Sequence, residues 1–384
     1  MSQTMRVIIV GGGIGGLTAA IALRQTGWSV QVIERAEQFG EVGAGVQLGP
    51  NATRVLKRLG LGEKLDEIAV APEAVRFLRW ADDAVLTECQ LLGRFGAPYY
   101  TLYRPDLIEI LAAAQPSEDM MLGTEVTDVS ATPNGAAVST ADGTRLEAEL
   151  VLGCDGIHST VRSRAIGDVP ARFSGMCAYR AVVPSDGVEQ MVRNWLGPRR
   201  HLVAYPVGRG GRYLNLVCVD TASDWRTESW TAPGDPDELR NAFKGWTPEV
   251  TSLLDRVAGP IYRWGLYDRE PLPTWLASAI ALLGDACHPM LPFMAQGAAQ
   301  AIEDAGVLAQ CLAGGADLGD ALRRYEQLRL PRASRIQRLS YDNNVVYHLA
   351  DGPEQRARDH AMIRGEAFGA NALSWLFEDD QISG

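Results

Sequence analysis

Residues 6–16 read RVIIVGGGIGG, and the order of those letters decides the fold. Arg6-Val-Ile-Ile-Val10 is a short continuous apolar run, the pattern of a strand buried on both faces. Gly11, Gly13 and Gly16 then satisfy G-x-G-x-x-G, with Gly15 in the same loop. Gly11 permits a tight turn, Gly13 lets backbone approach a pyrophosphate, and Gly16 lets helix and strand close together. Leu17 to Thr26 reads as a helix that Gly27 ends, and Val30-Gln-Val-Ile-Glu34 as the next strand. A β-α-β unit this short requires a parallel pair and a right-handed crossover. The helix start offers free N–H groups and a positive dipole end to phosphates. Glu34, followed by Arg35, stands where a carboxylate accepts from a ribose hydroxyl. An ordinary tight turn would explain the glycines, but not strand, helix and acid together.

The glycine motif alone does not separate FAD from NAD. A second stretch, Gly284 to Gly306 (GDACHPMLPFMAQGAAQAIEDAG), bears on that choice. It follows the apolar run Ala279–Leu283, so Gly284-Asp285 sits at a strand end, where a carboxylate reaches a ribose or a polyol chain. Gln296-Gly297-Ala298 then begins a helix with little side-chain bulk. Its unpaired N–H groups suit the pyrimidine edge of an isoalloxazine, where a reduced flavin carries negative charge.

The remaining chain alternates between two textures. Asn51 reads as the cap of a helix carrying Val55, Leu56 and Leu59, and Pro105 as the start of another. Asp142-Gly143 is a hairpin turn. From about Arg172 to Asp268 strand-like pieces take over: Cys177 to Val183, His201 to Val207 and Tyr213 to Val219. They predict an antiparallel sheet. After Pro271 the α/β texture returns, and from about Ala321 the chain is helical, with Tyr325, Leu328, Ile336 and Leu339 as its apolar positions. The fold class is therefore α/β. A Rossmann-like nucleotide-binding domain (1–75, 103–171 and 271–330), which the family resemblance given below makes FAD-binding, is interrupted by an antiparallel β-sheet domain (76–102 and 172–270), which it makes the substrate domain. A helical C-terminal tail (331–384) follows.

Composition excludes several classes. The net charge of −11 and the lack of a long basic run argue against nucleic acid. That same charge repels an anionic substrate, which then needs a local cation. The six cysteines are scattered with no C-x-x-C, as in reduced cytoplasmic thiols. The five histidines share no metal spacing, so no metal is expected. Val7 to Leu23 has the length of a signal segment, but only Arg6 precedes it and glycines fill its centre. A soluble cytoplasmic protein, monomer or homodimer, with no membrane association is expected.

Three motifs together, Gly11-x-Gly13-x-x-Gly16, Gly153-Cys-Asp155-Gly156 and Gly284-Asp285-Ala-Cys-His-Pro289, resemble the fingerprints of FAD-dependent aromatic hydroxylases of the 4-hydroxybenzoate hydroxylase type. The resemblance runs from about Met5 to Leu330 and is strongest to salicylate hydroxylase, 3-hydroxybenzoate 6-hydroxylase and 6-hydroxynicotinate 3-monooxygenase. It implies non-covalent FAD, with NADH or NADPH and O2 as co-substrates. It also implies a small aromatic acid that receives oxygen from a flavin C4a-hydroperoxide. Arg104 matches an arginine near the flavin, and Gly43 to Asn51, with Gly45, Val46 and Gln47, matches a loop beside the isoalloxazine. Pro292 and Phe293, followed by Met294, stand over the flavin and substrate, where decarboxylating relatives show Pro-His.

His201-x-x-x-Tyr205 has a spacing similar to two of these subfamilies. Residues four apart on a strand face one way. His201 can take a phenolic proton and Tyr205 can donate to a ring oxygen or a carboxylate. Gln47, Tyr179 and Arg180 are further substrate-pocket candidates. His288 reads as shaping its turn. The implied reaction is hydroxylation of a phenolic acid of the salicylate or 3-hydroxybenzoate type, with decarboxylative hydroxylation of 6-hydroxynicotinate as the alternative. A flavin amine or alcohol oxidase shares the first motif, but Asp155-Gly156 and Gly284-Asp285 argue against it. A non-enzymatic redox sensor would want an interaction tail or a coiled-coil heptad, and neither is evident.

Overall fold

The computed structural model describes residues 4–39, 44–185, 190–222, 232–315 and 317–380. Gly43, at the start of the loop read beside the flavin, lies outside the described residues.

The chain opens with β1 (Arg6–Val10), α1 (Ile14–Gln25) and β2 (Ser29–Ile33), then β3 (Gly45–Leu48), α2 (Pro50–Arg58) and α3 (Gly62–Ile68). It leaves for a second sheet through β4 (Ala74–Arg79) and β5 (Val85–Gln90), and returns by β6 (Tyr100–Tyr103), α4 (Arg104–Ala113) and β7 (Met120–Met121). A small meander, β8 (Val126–Thr132), β9 (Gly135–Thr140) and β10 (Arg145–Ala148), precedes β11 (Leu150–Gly153) and α5 (Thr160–Ala165). The second sheet resumes with β12 (Arg172–Pro184), β13 (Met191–Gly197), β14 (Arg200–Val207) and β15 (Tyr213–Thr221). Helices α6 (Pro236–Ala242) and α7 (Pro248–Asp255) cover it before β16 (Tyr262–Asp268). Then come β17 (Leu276–Ala277), β18 (Ile280–Leu282), α8 (Gly297–Leu312), α9 (Leu318–Val346), α10 (Pro353–Ile363) and α11 (Ala370–Phe377).

The first sheet has the order β17-β18-β11-β1-β2-β7. Strand β1 pairs in parallel with β2 and β11, and β11 with β18. Val7, Ile8 and Ile9 have no solvent exposure, as a central strand covered on both faces requires. The second sheet has the order β16-β12-β15-β14-β13-β4-β5. Its pairs are antiparallel except β13 with β4. The Asp142-Gly143 turn joins β9 and β10 as read.

Two local expectations are corrected. Helix α1 begins at Ile14, not Leu17, so Gly15 and Gly16 lie inside it. A Cβ on Gly16 would stand 1.9 Å from the Gly11 carbonyl oxygen, and one on Gly15 3.1 Å from the Ala301 Cβ. The glycines are thus contact surfaces where α1 meets its own loop and α8. Asn51 is not a cap either. Gly49 takes that position and Pro50 opens α2, while Asn51 Nδ2 donates to Gln296 Oε1 at 3.0 Å and to Glu303.

The C-terminal helices pack into the molecule. Helix α9 lies along α8 through Arg329, which is fully buried. Its guanidinium donates to Glu303 Oε2 (2.5 Å), Asp304 Oδ1 (2.7 Å) and Gln300 Oε1 (2.7 Å). Arg332 Nε adds a bond to Glu303 Oε2 at 2.8 Å, and His288 Nε2 meets Asp304 Oδ2 at 2.6 Å. Burial works to raise the Asp304 pKa, but the charges of His288 and Arg329 outweigh it and hold the carboxyl at about 2. Tyr325 and Ile336 are buried as read, whereas Leu328 is exposed.

Replacing Arg329 by Met removes the one guanidinium shared by two buried carboxylates, leaving Glu303 to Arg332 and Asp304 to His288. Stability should fall by about 3–5 kcal/mol in a denaturant titration, and an unchanged midpoint would contradict this. The depressed Asp304 pKa also stabilises the fold above its ordinary 3.8, and that contribution disappears as pH drops through about 2.

Candidate active site

A cavity runs from the glycine loop to the face of the second sheet. Gly13, Ile14, Gly15, Cys154 and Gly156 line its first end. Arg104, Gly284, Asp285, Gln296, Gly297 and Ala298 line the middle. Gly45, Val46, Gln47, Arg180, His201, Tyr205 and Pro292 line the far end.

The first end is built to receive phosphate. Helix α1 is capped by Gly13 with no side-chain bond and has no acidic residue in its first turn, so its positive end is uncompensated. A Cβ added to Gly13 or Gly156 would meet nothing within 4 Å, so both glycines face open space. Gly11 and Gly16 instead set the packing of the turn. Glu34 Oε2 accepts from the Gly12 N–H at 2.6 Å and Oε1 from Ala36 N–H at 2.8 Å, which holds the carboxylate beside the loop. Arg35 is exposed. The Asp155 carboxylate turns to the start of α5, where it accepts from Ser159 Oγ and from the Val161 N–H at 3.1 Å.

The middle repeats the device. Helix α8 begins at Gly297 with no side-chain cap and no acid in its first turn. A Cβ on Gly297 would find only Asp285 Oδ1, at 3.8 Å. Burial raises the Asp285 pKa, against the charges of His288 and Arg104. Burial also pushes the Cys154 and Cys287 thiols far up, so neither is a ready nucleophile for a covalent link. Cys287, His288 and Asp304 gather within 4.8 Å, but Arg329 already pairs with Asp304, so this corner is an ion-pair junction. Two uncapped helix starts, open glycine faces and a carboxylate at the end of β2 fit FAD lying along the trench.

At the far end, alternate residues of β14 face the cavity: His201, Val203 and Tyr205. Arg180, registered opposite Val217, joins them from β12. Its guanidinium lies 4.6 Å from the centre of the Trp264 ring. Tyr179 does not join them and is corrected: one residue along the strand, it points to the opposite face, packed among Leu239, Phe243 and Leu254. Phe293 and Met294 also do not line the cavity. Phe293 is buried behind it, edge-on to His201 with ring centres 5.3 Å apart.

Burial raises the Tyr205 hydroxyl to about 12, opposed by Arg180 and by a hydrogen bond with Gln47, so it remains a donor. A Cβ on Gly45 would stand 2.6 Å from Tyr205 Cε2, and Gly45 N–H donates to Asn215 Oδ1 at 2.7 Å. That contact keys β3 to the second sheet. Burial, aided by the neighbouring His348, pushes the His201 pKa well below its usual value, so the ring is neutral. His201 Nδ1 lies 2.7 Å from His348 Nε2. Sequence reasoning left His348 among the unassigned imidazoles, and no local pattern could have paired residues so far apart in the chain. Val203, Val217, Met290 and Leu291 were missed for another reason: apolar strand and loop residues carry no mark of which cavity they wall.

Comparison with known proteins places the chain in a family. Residues 4–340 match the family described as the FAD binding domain. The chain is 41% identical over 384 residues to 3-amino-4-hydroxybenzoate 2-monooxygenase PtmB3 of Streptomyces platensis, covering 97% of this chain and 96% of that one. It is 37% identical to 6-hydroxynicotinate 3-monooxygenase of Pseudomonas fluorescens, covering 89% and 92%. A salicylate hydroxylase substrate complex superposes with a TM-score of 0.85 at 26% identity, over 99% of this chain and 97% of that one.

Gly13 offers a direct check. Gly13→Asp places a carboxylate in open space, so the fold should survive, yet the charge faces the expected phosphates. The variant should purify folded by circular dichroism and without the visible absorbance of bound flavin. Undiminished flavin content would place the pyrophosphate elsewhere.

Proposed function

The chain belongs to the FAD-dependent aromatic-ring monooxygenases, and from that premise we propose that it hydroxylates a phenolic aromatic acid with NADH or NADPH as the reductant. The observation that carries this reading is the shared face of His201 and Tyr205, in one cavity with the uncapped start of α8.

Bound FAD would supply the acceptance of hydride from the nicotinamide and the activation of O2 for transfer to the ring. The protein supplies position and electrostatics. The first N–H groups of α8 face the place where negative charge collects, without an acidic neighbour to oppose them. Glu34 suits a ribose hydroxyl, and Arg104 with Asp285 suits the chain between phosphates and flavin. His201 Nε2 accepts the proton of a phenolic hydroxyl and so makes the ring electron-rich. Tyr205 donates to a second oxygen of the substrate. Arg180 provides the local cation that a carboxylate needs in a chain of net charge −11. Val203, Val217, Leu291 and Pro292 make the wall apolar and keep water from the reacting atoms.

The substrate class rests on the two curated relatives, whose names specify aromatic acids with a ring hydroxyl. A hydroxybenzoate, with or without an amino group, fits a site holding one base, one hydroxyl donor and one arginine. A hydroxypyridine acid is the second reading, favoured by the 37% identical relative. The six free cysteines suit the cytoplasm.

Substrate-stimulated NADH and NADPH oxidation, with product identification, tests the class. The panel is 3-amino-4-hydroxybenzoate, salicylate, 3-hydroxybenzoate, 4-hydroxybenzoate and 6-hydroxynicotinate. Hydroxylated product from one of these acids is expected, and oxidation of an amine or alcohol instead would overturn the reading. His201→Ala should lower hydroxylation by about 10²- to 10⁴-fold with FAD retained. Turnover matching the parent enzyme would remove His201 from the chemistry.

A further inference from the structure

His201, at the cavity wall, and His348, behind it, form a directional chain. His348, near the C-terminal end of α9, places its Nδ1 2.6 Å from the carbonyl oxygen of Asn344, one helical turn earlier. A carbonyl only accepts, so Nδ1 of His348 carries the proton. A neutral imidazole has one N–H, and Nε2 of His348 is therefore bare. That bare nitrogen faces Nδ1 of His201 at 2.7 Å. A hydrogen bond at that distance needs one proton, and His201 must provide it. With its proton on Nδ1, neutral His201 keeps Nε2 as an open lone pair.

The surroundings keep the chain in this state. His348 is held neutral near physiological pH because burial pushes its pKa down to about 4, with the Arg358 charge acting the same way. Arg358 in turn pairs with Asp359 at 2.7 Å. The helix end that carries His348 is itself fixed: Tyr347 Oη donates to the Phe293 carbonyl at 2.9 Å, and Asn344 Nδ2 to the Ser174 carbonyl at 3.2 Å. Phe293 and Tyr347 close on His201 edge-on, with ring centres 5.3 and 5.4 Å away, so its imidazole has little freedom to flip.

We infer that His348 is a positioning residue that locks His201 in the Nδ1–H tautomer and so aims a bare Nε2 at the substrate. The catalytic use of this lock, though not the lock itself, rests on the proposal that His201 accepts the phenolic proton. In that step the phenolic O–H bond breaks and an Nε2–H bond forms on His201, whose Nδ1–H still donates to His348. The acceptor then also disperses the new positive charge. Without it, His201 would be free to carry its proton on Nε2, and it would present a donor where the reaction needs an acceptor.

The test is long-range proton–nitrogen NMR on the FAD-loaded enzyme labelled with ¹⁵N-histidine. The chain has five histidines, and the His201→Ala and His348→Gln variants assign the two rings. The wild type should show His201 protonated on Nδ1 with an unprotonated Nε2, and His348 protonated on Nδ1. In His348→Leu, His201 should shift to a mixed or Nε2–H form and hydroxylation should fall about 10²-fold, the low end of general-base help. His348→Gln can still accept through its amide oxygen, and should restore both the tautomer and most of the turnover. A wild-type His201 protonated on Nε2, or a His348→Leu enzyme unchanged in tautomer and turnover, would overturn the inference. The spectra need no substrate, so the two ideas fail separately. A locked tautomer in an enzyme indifferent to His201→Ala would refute the base and leave the lock standing.

Discussion

The clasp of Arg329 and Arg332 on Glu303 and Asp304 is the constraint on which the site depends. Burying charges is costly unless each is paired and hydrogen-bonded. Here the pairing is dense: Asn51, Gln300 and His288 complete the bonds that the two arginines begin. Helix α8 can then neither slide nor rotate without stranding a charge. Its first turn, Gly297 and Ala298, is held at the middle of the cavity as a rigid source of N–H groups. The same clasp fixes α9, and α9 carries Tyr347 and His348 to the other end of the site. One ion-pair junction thus registers the start of one helix against the end of another.

Close approach does the complementary work. The Gly16 Cα touches the turn that Gly11 makes, and Gly15 touches α8 at Ala301. Any side chain at these positions would push α1 away from the sheet or from α8 and widen the trench. Gly45 performs the same service across the two sheets by letting β3 lie against Tyr205 and Asn215. These contacts place a phosphate-binding loop, an uncapped helix and a polar strand face along a single groove.

Much of this was legible from local pattern. The β1-loop-α1-β2 unit, the Gly-Asp turn after β18 and the small-residue start of α8 all announce themselves through spacing and residue type. So does the facing of His201 and Tyr205, because strand geometry alone puts positions four apart on one side. The failures share a cause. Tyr179 and Arg180 are neighbours, and period two guarantees that only one enters the cavity, but the sequence does not say which sheet face is which. Asn51 looks like a cap because its role, a bond to Glu303, is set by a helix some 250 residues away in the chain. Glu303, Asp304 and Arg329 look like ordinary helix polar residues until two helices are laid together. The C-terminal segment reads as a tail for the same reason, although it packs behind the site through His348 on His201 and Tyr347 on Phe293.

The chemistry then reduces to where one aromatic ring can lie. On the proposed reading it sits between the start of α8 and the β14 face, with its acid near Arg180 and its hydroxyl on His201. The direct measurement is a crystal structure of the enzyme with FAD and the aromatic acid that most stimulates its NADH or NADPH oxidation. The account predicts the phenolic oxygen within about 2.6–3.2 Å of His201 Nε2 and the flavin pyrimidine edge on the N–H groups of the first turn of α8. A ring bound with its hydroxyl turned away from His201, or a flavin lying outside the groove of Gly13, Gly156 and Gly297, would contradict it.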